Sequence, residues 1–189
     1  MPRFLPFAAI LLIAPSNHAA DDVDQLLRSI KAVASRGSGH PQAIAAVKTL
    51  SQSGPESLLP ILEAMDDANP LAANWLRGAF ESIADRALRS GAKLRTGDLE
   101  DYVRDRAHDP HARRLAYEWL VKVDPAAPDR IIPGMLDDPS AEMRRDAVAR
   151  SIAAAQKLLE NGHEAGAKAE FQRALSGAVD GDQVTAIAK

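Results

Sequence analysis

The 189-residue sequence predicts an all-α fold, an α-solenoid of stacked antiparallel helix pairs, and three observations carry that expectation. Alanine and leucine, both strong helix formers, are spread over the whole chain. No stretch alternates β-branched with polar residues as a half-buried strand does. Apolar residues recur at helical spacing in segments separated by short breaks rich in Gly, Pro and Asp, and a helix–turn–helix unit repeats.

The composition sets bounds. Hydrophobic residues make up 46% and the net charge is -3, which fits one domain with its own core. The absence of cysteine excludes disulfides, thiolate catalysis and Cys-ligated metal sites. A slightly acidic chain with no basic stripe carrying interleaved aromatics is not built for nucleic acid.

The first twenty residues, "MPRFLPFAAILLIAPSNHAA", have the layout of a secretory signal peptide. Arg3 precedes an apolar run from Phe4 to Ala14, then Pro15 and a polar, Ala-ending segment. Cleavage after Ala19 or Ala20 places Asn17 or His18 where a small residue is preferred, so an uncleaved signal anchor is the alternative. The run is shorter than the ~20 apolar residues of a membrane span.

Helices then follow in order. Asp21 to Ser35 aligns Val23, Leu26, Leu27, Ile30 and Val33 on one face, and "RGSGHP" ends it. Gln42 to Gln52 is a short second helix. Ser53 and Glu56 have capping-box spacing ahead of a helix carrying Leu58, Leu59, Ile61, Leu62 and Met65. Asn69 and Pro70 suit the N-cap and first position of a helix running to about Ser90. A loop over 91–98 leads to a short helix from Leu99 to Ala107. Further helices are expected over Pro110–Val123, Asp129–Leu136, Pro139–Glu160, Glu164–Leu175 and Asp182–Ala188. The last segment, "DQVTAIAK", stops inside an amphipathic pattern, which suggests a further domain or a partner at that end.

Three stretches are alike. "LLPILEAMDDANPLAANWLRGAF" from Leu58, "AHDPHARRLAYEWL" from Ala107 and "IIPGMLDDPSAEMRRDAVARSI" from Ile131 each place Asp or Asn before Pro, then an apolar helix bearing arginine. Asp138-Pro139-Ser140, Met143-Arg144-Arg145 and Ala147-Val148 resemble the "D-P-x-x-x-V-R-x-x-A" pattern of HEAT-like repeats; the resemblance covers roughly residues 40–160, and the repeat region is read as 21–160. The second copy is two residues tighter, and the first has Asn69 for the aspartate and no arginine before Arg77. The stretch 153–175 looks like a tetratricopeptide-type hairpin turning at Gly162, without that family's tryptophan, tyrosine and proline, so 161–189 is read as a C-terminal hairpin. The resemblance implies a right-handed HEAT/ARM-like superhelix and binding by an extended surface rather than catalysis.

Two clusters are candidates for chemistry. His108, Asp109 and His111 are metal-ligand types, but Asp109 and Pro110 also suit a helix start, the role expected of Asp138 in the sister repeat, and the capping role is favoured. Arg113, Arg114, Arg144 and Arg145 are candidate interaction residues; the competing role is to pair with an acid of the preceding repeat, around Asp137 or Asp105. "SRGSGH" lacks the Gly-Lys-Ser/Thr end of a phosphate loop, the acids of "GDLED" fit a solvated helix start, and Trp75 and Trp119 lie in core stripes. No Ser-His-Asp order or nucleophile elbow is present. The expected function is a non-enzymatic, cofactor-free scaffold that binds protein partners in the periplasm or outside the cell. The alternatives are the N-terminal repeat module of a larger exported enzyme, or a scaffold held at the membrane by its leader.

Overall fold

A computed structural model describes residues 18–34 and 37–188. Ten α-helices follow one another among the described residues, with no strand: α1 (His18–Lys31), α2 (His40–Leu50), α3 (Leu58–Met65), α4 (Pro70–Arg89), α5 (Thr96–Arg104), α6 (Pro110–Val123), α7 (Ala127–Ile131), α8 (Ala141–Glu160), α9 (Glu164–Gly177) and α10 (Gly181–Ala188). Short 3-10 turns lead into α3 (Pro55–Ser57) and out of α7 (Ile132–Gly134). Of the expected leader over 1–20, residues 1–17 lie outside the described residues, and 18–20 form the first turn of α1. No described helix is long and apolar enough to cross a membrane.

Several helix starts follow from local chemistry. The Asn69 side chain accepts the N–H groups of Leu71 and Ala72, each at 3.0 Å, with Pro70 opening α4. Asp109 does the same for α6, accepting from His111 (2.9 Å) and Ala112 (3.0 Å). The Gly162 turn closes α8 with a reversed 6→1 bond from the His163 N–H to the Leu158 carbonyl, and Gly162 takes the positive φ (75°) that this turn requires.

Four expectations are corrected. The Ser53/Glu56 capping box does not form, because the turn starts at Gly54, which leaves Ser53 and Glu56 off the cap and third positions. The carbonyls of Ser51 and Ser53 instead accept from Arg86 of α4. The fifth helix starts at Thr96 and ends at Arg104, three residues ahead of expectation, because Asp105 leaves the helix and its side chain accepts the Ala107 N–H (2.9 Å). α8 starts at Ala141 rather than Pro139, capped by Ser140 rather than by Asp138. The seventh segment is helical only over Ala127–Ile131 and tightens at Ile132.

Helices adjacent in sequence pack as pairs: α1 on α2, α3 on α4, α5 on α6 and, most extensively, α8 on α9. Each pair also touches the next, α1 reaching α3 and α4, α3 and α4 reaching α6, and α5 and α6 reaching α7. One apolar core runs from Leu27 of α1 to Ala147 of α8, with Phe80 of α4 edge-on to Trp119 of α6 at 6.1 Å. Trp119 is buried as expected, whereas Trp75 is only partly buried, beside His40. A separate cluster of Val148, Ile152 and Ala174 holds the α8–α9 hairpin.

Candidate functional site

The "HDPH" turn lies where the α5–α6 loop meets the end of α3. Asp66 gathers it. Its carboxylate accepts the Asp109 backbone N–H (2.8 Å), contacts His108 Nδ1 (2.7 Å) and accepts the Tyr102 hydroxyl (3.0 Å), which also lies 2.9 Å from the Leu62 carbonyl. The His108 ring stacks on Tyr102 with centroids 3.9 Å apart. Burial, followed by the Asp66 charge, pushes the Tyr102 phenol far above its usual range, so it remains a proton donor to Asp66. His108 Nε2 turns toward Asp105 (3.7 Å) and a groove of about 260 Å³ bordered by Leu59, Glu63, Asp98 and Asp101.

His111, by contrast, is exposed, and Asp109 is committed to the backbone of α6. The three residues of the metal reading thus face three different tasks. Among the described residues no group of three or more His, Cys, Asp or Glu side chains is arranged to hold a metal ion. The groove lining offers an oriented imidazole and carboxylates, and its one hydroxyl, that of Tyr102, is already donated to Asp66 and Leu62.

The four candidate arginines separate sharply. Arg113 is fully buried and is not available to a partner. Its guanidinium grips Asp138 bidentately (2.9 and 2.8 Å) and donates from Nε to the Val103 carbonyl (2.8 Å). Asp138 is equally buried and also accepts the Ser140 N–H (2.8 Å), which explains why it does not cap α8. Arg144 is half-buried and donates to the Asp138 carbonyl (2.6 Å). Arg114 is half-buried like Arg144, and Arg145 is the exposed one of the four. The pairs also run forward along the chain, to Asp138, Asp146 and Asp182, rather than back to the preceding repeat. The first turn of α6 faces the loop that enters α8, so its arginines meet acids that come later.

Arg114 and Arg145 belong to a ladder of ion pairs crossing α4, α6, α8 and α10. Arg77 pairs with Glu81 on α4 (3.0 Å) and reaches Glu118 on α6 (3.5 Å). Arg114 pairs with Glu118 (3.1 Å), then with Asp146 (2.6 Å) and Glu142 (3.5 Å) on α8. Arg145 then clasps Asp180 (2.8 Å) and Asp182 (2.5 Å) at α10. Burial opposes the charge on Arg114, yet its bonds to Asp146 and Glu118 hold its pKa above the ordinary arginine value. Arg145 holds the Asp182 carboxyl below the usual carboxylate range. The i,i+4 pairs Arg77–Glu81 and Arg114–Glu118 were readable from spacing. Asp66, Tyr102, Asp146 and Asp182 were not, because their partners lie 32 to 42 residues away.

No family model, curated protein or solved structure matches the chain.

Proposed function

We propose that the chain is a non-catalytic α-solenoid scaffold of the HEAT type, exported by its first twenty residues and presenting the ladder face of α4, α6 and α8 to protein partners in the periplasm or outside the cell. The observation that carries the reading is the recurrence of ties between successive helix pairs. Lys31 pairs with Asp67, Asp66 holds His108, Arg113 grips Asp138, and Arg145 clasps Asp182. Partners 25 to 42 residues apart fit units that contact only their neighbours and stack into one body. What supports binding rather than catalysis is the division of labour at the arginines. The buried one fixes the stack, while the surface ones meet acids on a face that stays open to solvent between the rungs.

A photo-crosslinking amino acid placed at Ala149, on the ladder face of α8, and at Asp101, beside the α3–α5 groove, tests this in intact cells. The expected result is a discrete protein adduct from position 149 and none from 101. An adduct from 101 alone would move the binding face to the groove. Fractionation with N-terminal sequencing of the recovered chain tests export; recovery only from the cytoplasm with Met1 retained contradicts it.

A further inference from the structure

The ten helices are not held equally. α8 and α9 share a long apolar seam, and at its end Gly177 lets α9 approach the Leu136 carbonyl so closely that a Cβ there would collide with it. α10 has no such seam. Of its residues only Gln183 is buried, while Ala186 and Ile187 lie half-buried on the Val148–Ile152–Ala174 cluster. Val184 points outward, 39% exposed. A helix of eight residues cannot sustain itself in water, so α10 persists by what it docks on.

Polar contacts make up the difference. The Arg145 guanidinium spans Asp180 and Asp182, and its backbone carbonyl accepts from Gln183 Nε2 at 2.8 Å. One residue of α8 therefore supplies the polar attachment points at both the side chain and the main chain. The charged members are well exposed, Arg145 at 47% and Asp182 at 63%, so salt reaches and screens them. Beneath, the packing is incomplete. A groove of about 290 Å³ separates α10 from Ala149, Ile152, Ala153 and Gln156 of α8.

We propose that α10 is a salt-releasable latch, a short helix clipped over the α8 face by Arg145 that detaches while α8 and α9 stay folded. Release merges the existing groove with the uncovered Val148–Ile152 surface and extends the ladder face of α8 into an apolar strip. The inference stands on the docking of α10 alone and holds whatever that face binds.

Hydrogen exchange of the full chain, read peptide by peptide in about 0.02 M and about 1 M sodium chloride, tests it, because charge screening shrinks to a few ångströms at the higher value. The expected result is exchange over 181–188 several-fold faster at high salt, with α8 and α9 unchanged. Arg145→Gln should give the fast rate at both salt concentrations and abolish the salt response. Exchange over 181–188 that keeps step with α8 and α9 at every salt would overturn the proposal, as would a rate indifferent to both salt and Arg145→Gln. The native chain's salt series decides the matter if the variant fails to fold.

Discussion

A single carbonyl oxygen decides what residue 177 can be. The Leu136 oxygen occupies the place of a side chain there, whereas at Gly166 of the same helix an added Cβ meets only Leu158 at an ordinary 3.5 Å. Gly177→Ala should therefore lower stability by about 1–3 kcal/mol through overpacking, while Gly166→Ala should raise it by up to about 1 kcal/mol through helix propensity. Urea unfolding of the two variants measures both, and equal effects would place the close approach elsewhere. His108 shows the same dependence on surroundings. Its residue type suggests chemistry, yet its position between Asp66 and the Tyr102 ring makes it a bracket between α3 and the α5–α6 loop. His108→Ala should cost about 1 kcal/mol, the scale of one net hydrogen bond. A loss near zero would mean that Asp66 and Tyr102 hold the junction without it.

At the scale of the helix, starts were legible where a side chain acts on its own next turn. Asn69-Pro70 and Asp109-Pro110 carry their caps within three residues, and both helices begin as expected. Asn69 does more than cap, since its Nδ2 donates to the Val33 carbonyl at 2.8 Å and ties α4 to the end of α1. Asn69→Asp keeps the cap oxygen but loses that donor, and Asn69→Ala loses both. Thermal melts should rank them native, then Asp, then Ala, the last lower by about 1–2 kcal/mol. An Asp variant as stable as the native chain would show the Val33 bond to be idle. Where a distant group intervenes, local reading fails. Asp138-Pro139 repeats the Asp109-Pro110 signal, but Arg113, twenty-five residues earlier, takes the carboxylate into the core and the cap passes to Ser140. The expected capping box fails for a local reason, since the turn starts at Gly54, while Arg86 of α4 takes the Ser51 and Ser53 carbonyls. The helical class and most segments were thus carried by periodicity. The ties that make sites were not, because nothing in a local window names a partner one helix pair away.

Across the whole molecule, the surface ion pairs set the response to acid. Asp67, Glu100, Asp124, Asp137 and Asp182 all have pKa values held below their ordinary 3.8 (Asp) or 4.5 (Glu), each chiefly by a hydrogen bond from an arginine or lysine. A carboxyl with a depressed folded-state pKa contributes stability above its unfolded value and loses it as the pH falls through the folded value. The melting temperature should therefore be flat above about pH 5 and fall below about pH 4. High salt should shrink that fall, because the groups are exposed. A melting temperature that rises on acidification would contradict the assignment. The deeper coupling is the buried Arg113–Asp138 pair, which joins α6 to the entry of α8 where no water can substitute for either partner. A double-mutant cycle with Arg113→Ala and Asp138→Ala, followed by urea unfolding, tests most directly whether successive helix pairs are locked together there. Each single variant should lose about 3–5 kcal/mol, because it strands a buried charge. The double variant should lose less than their sum by about 2–3 kcal/mol. Losses that add to within about 0.5 kcal/mol would contradict the coupling, and with it the account of helix pairs tied into one body.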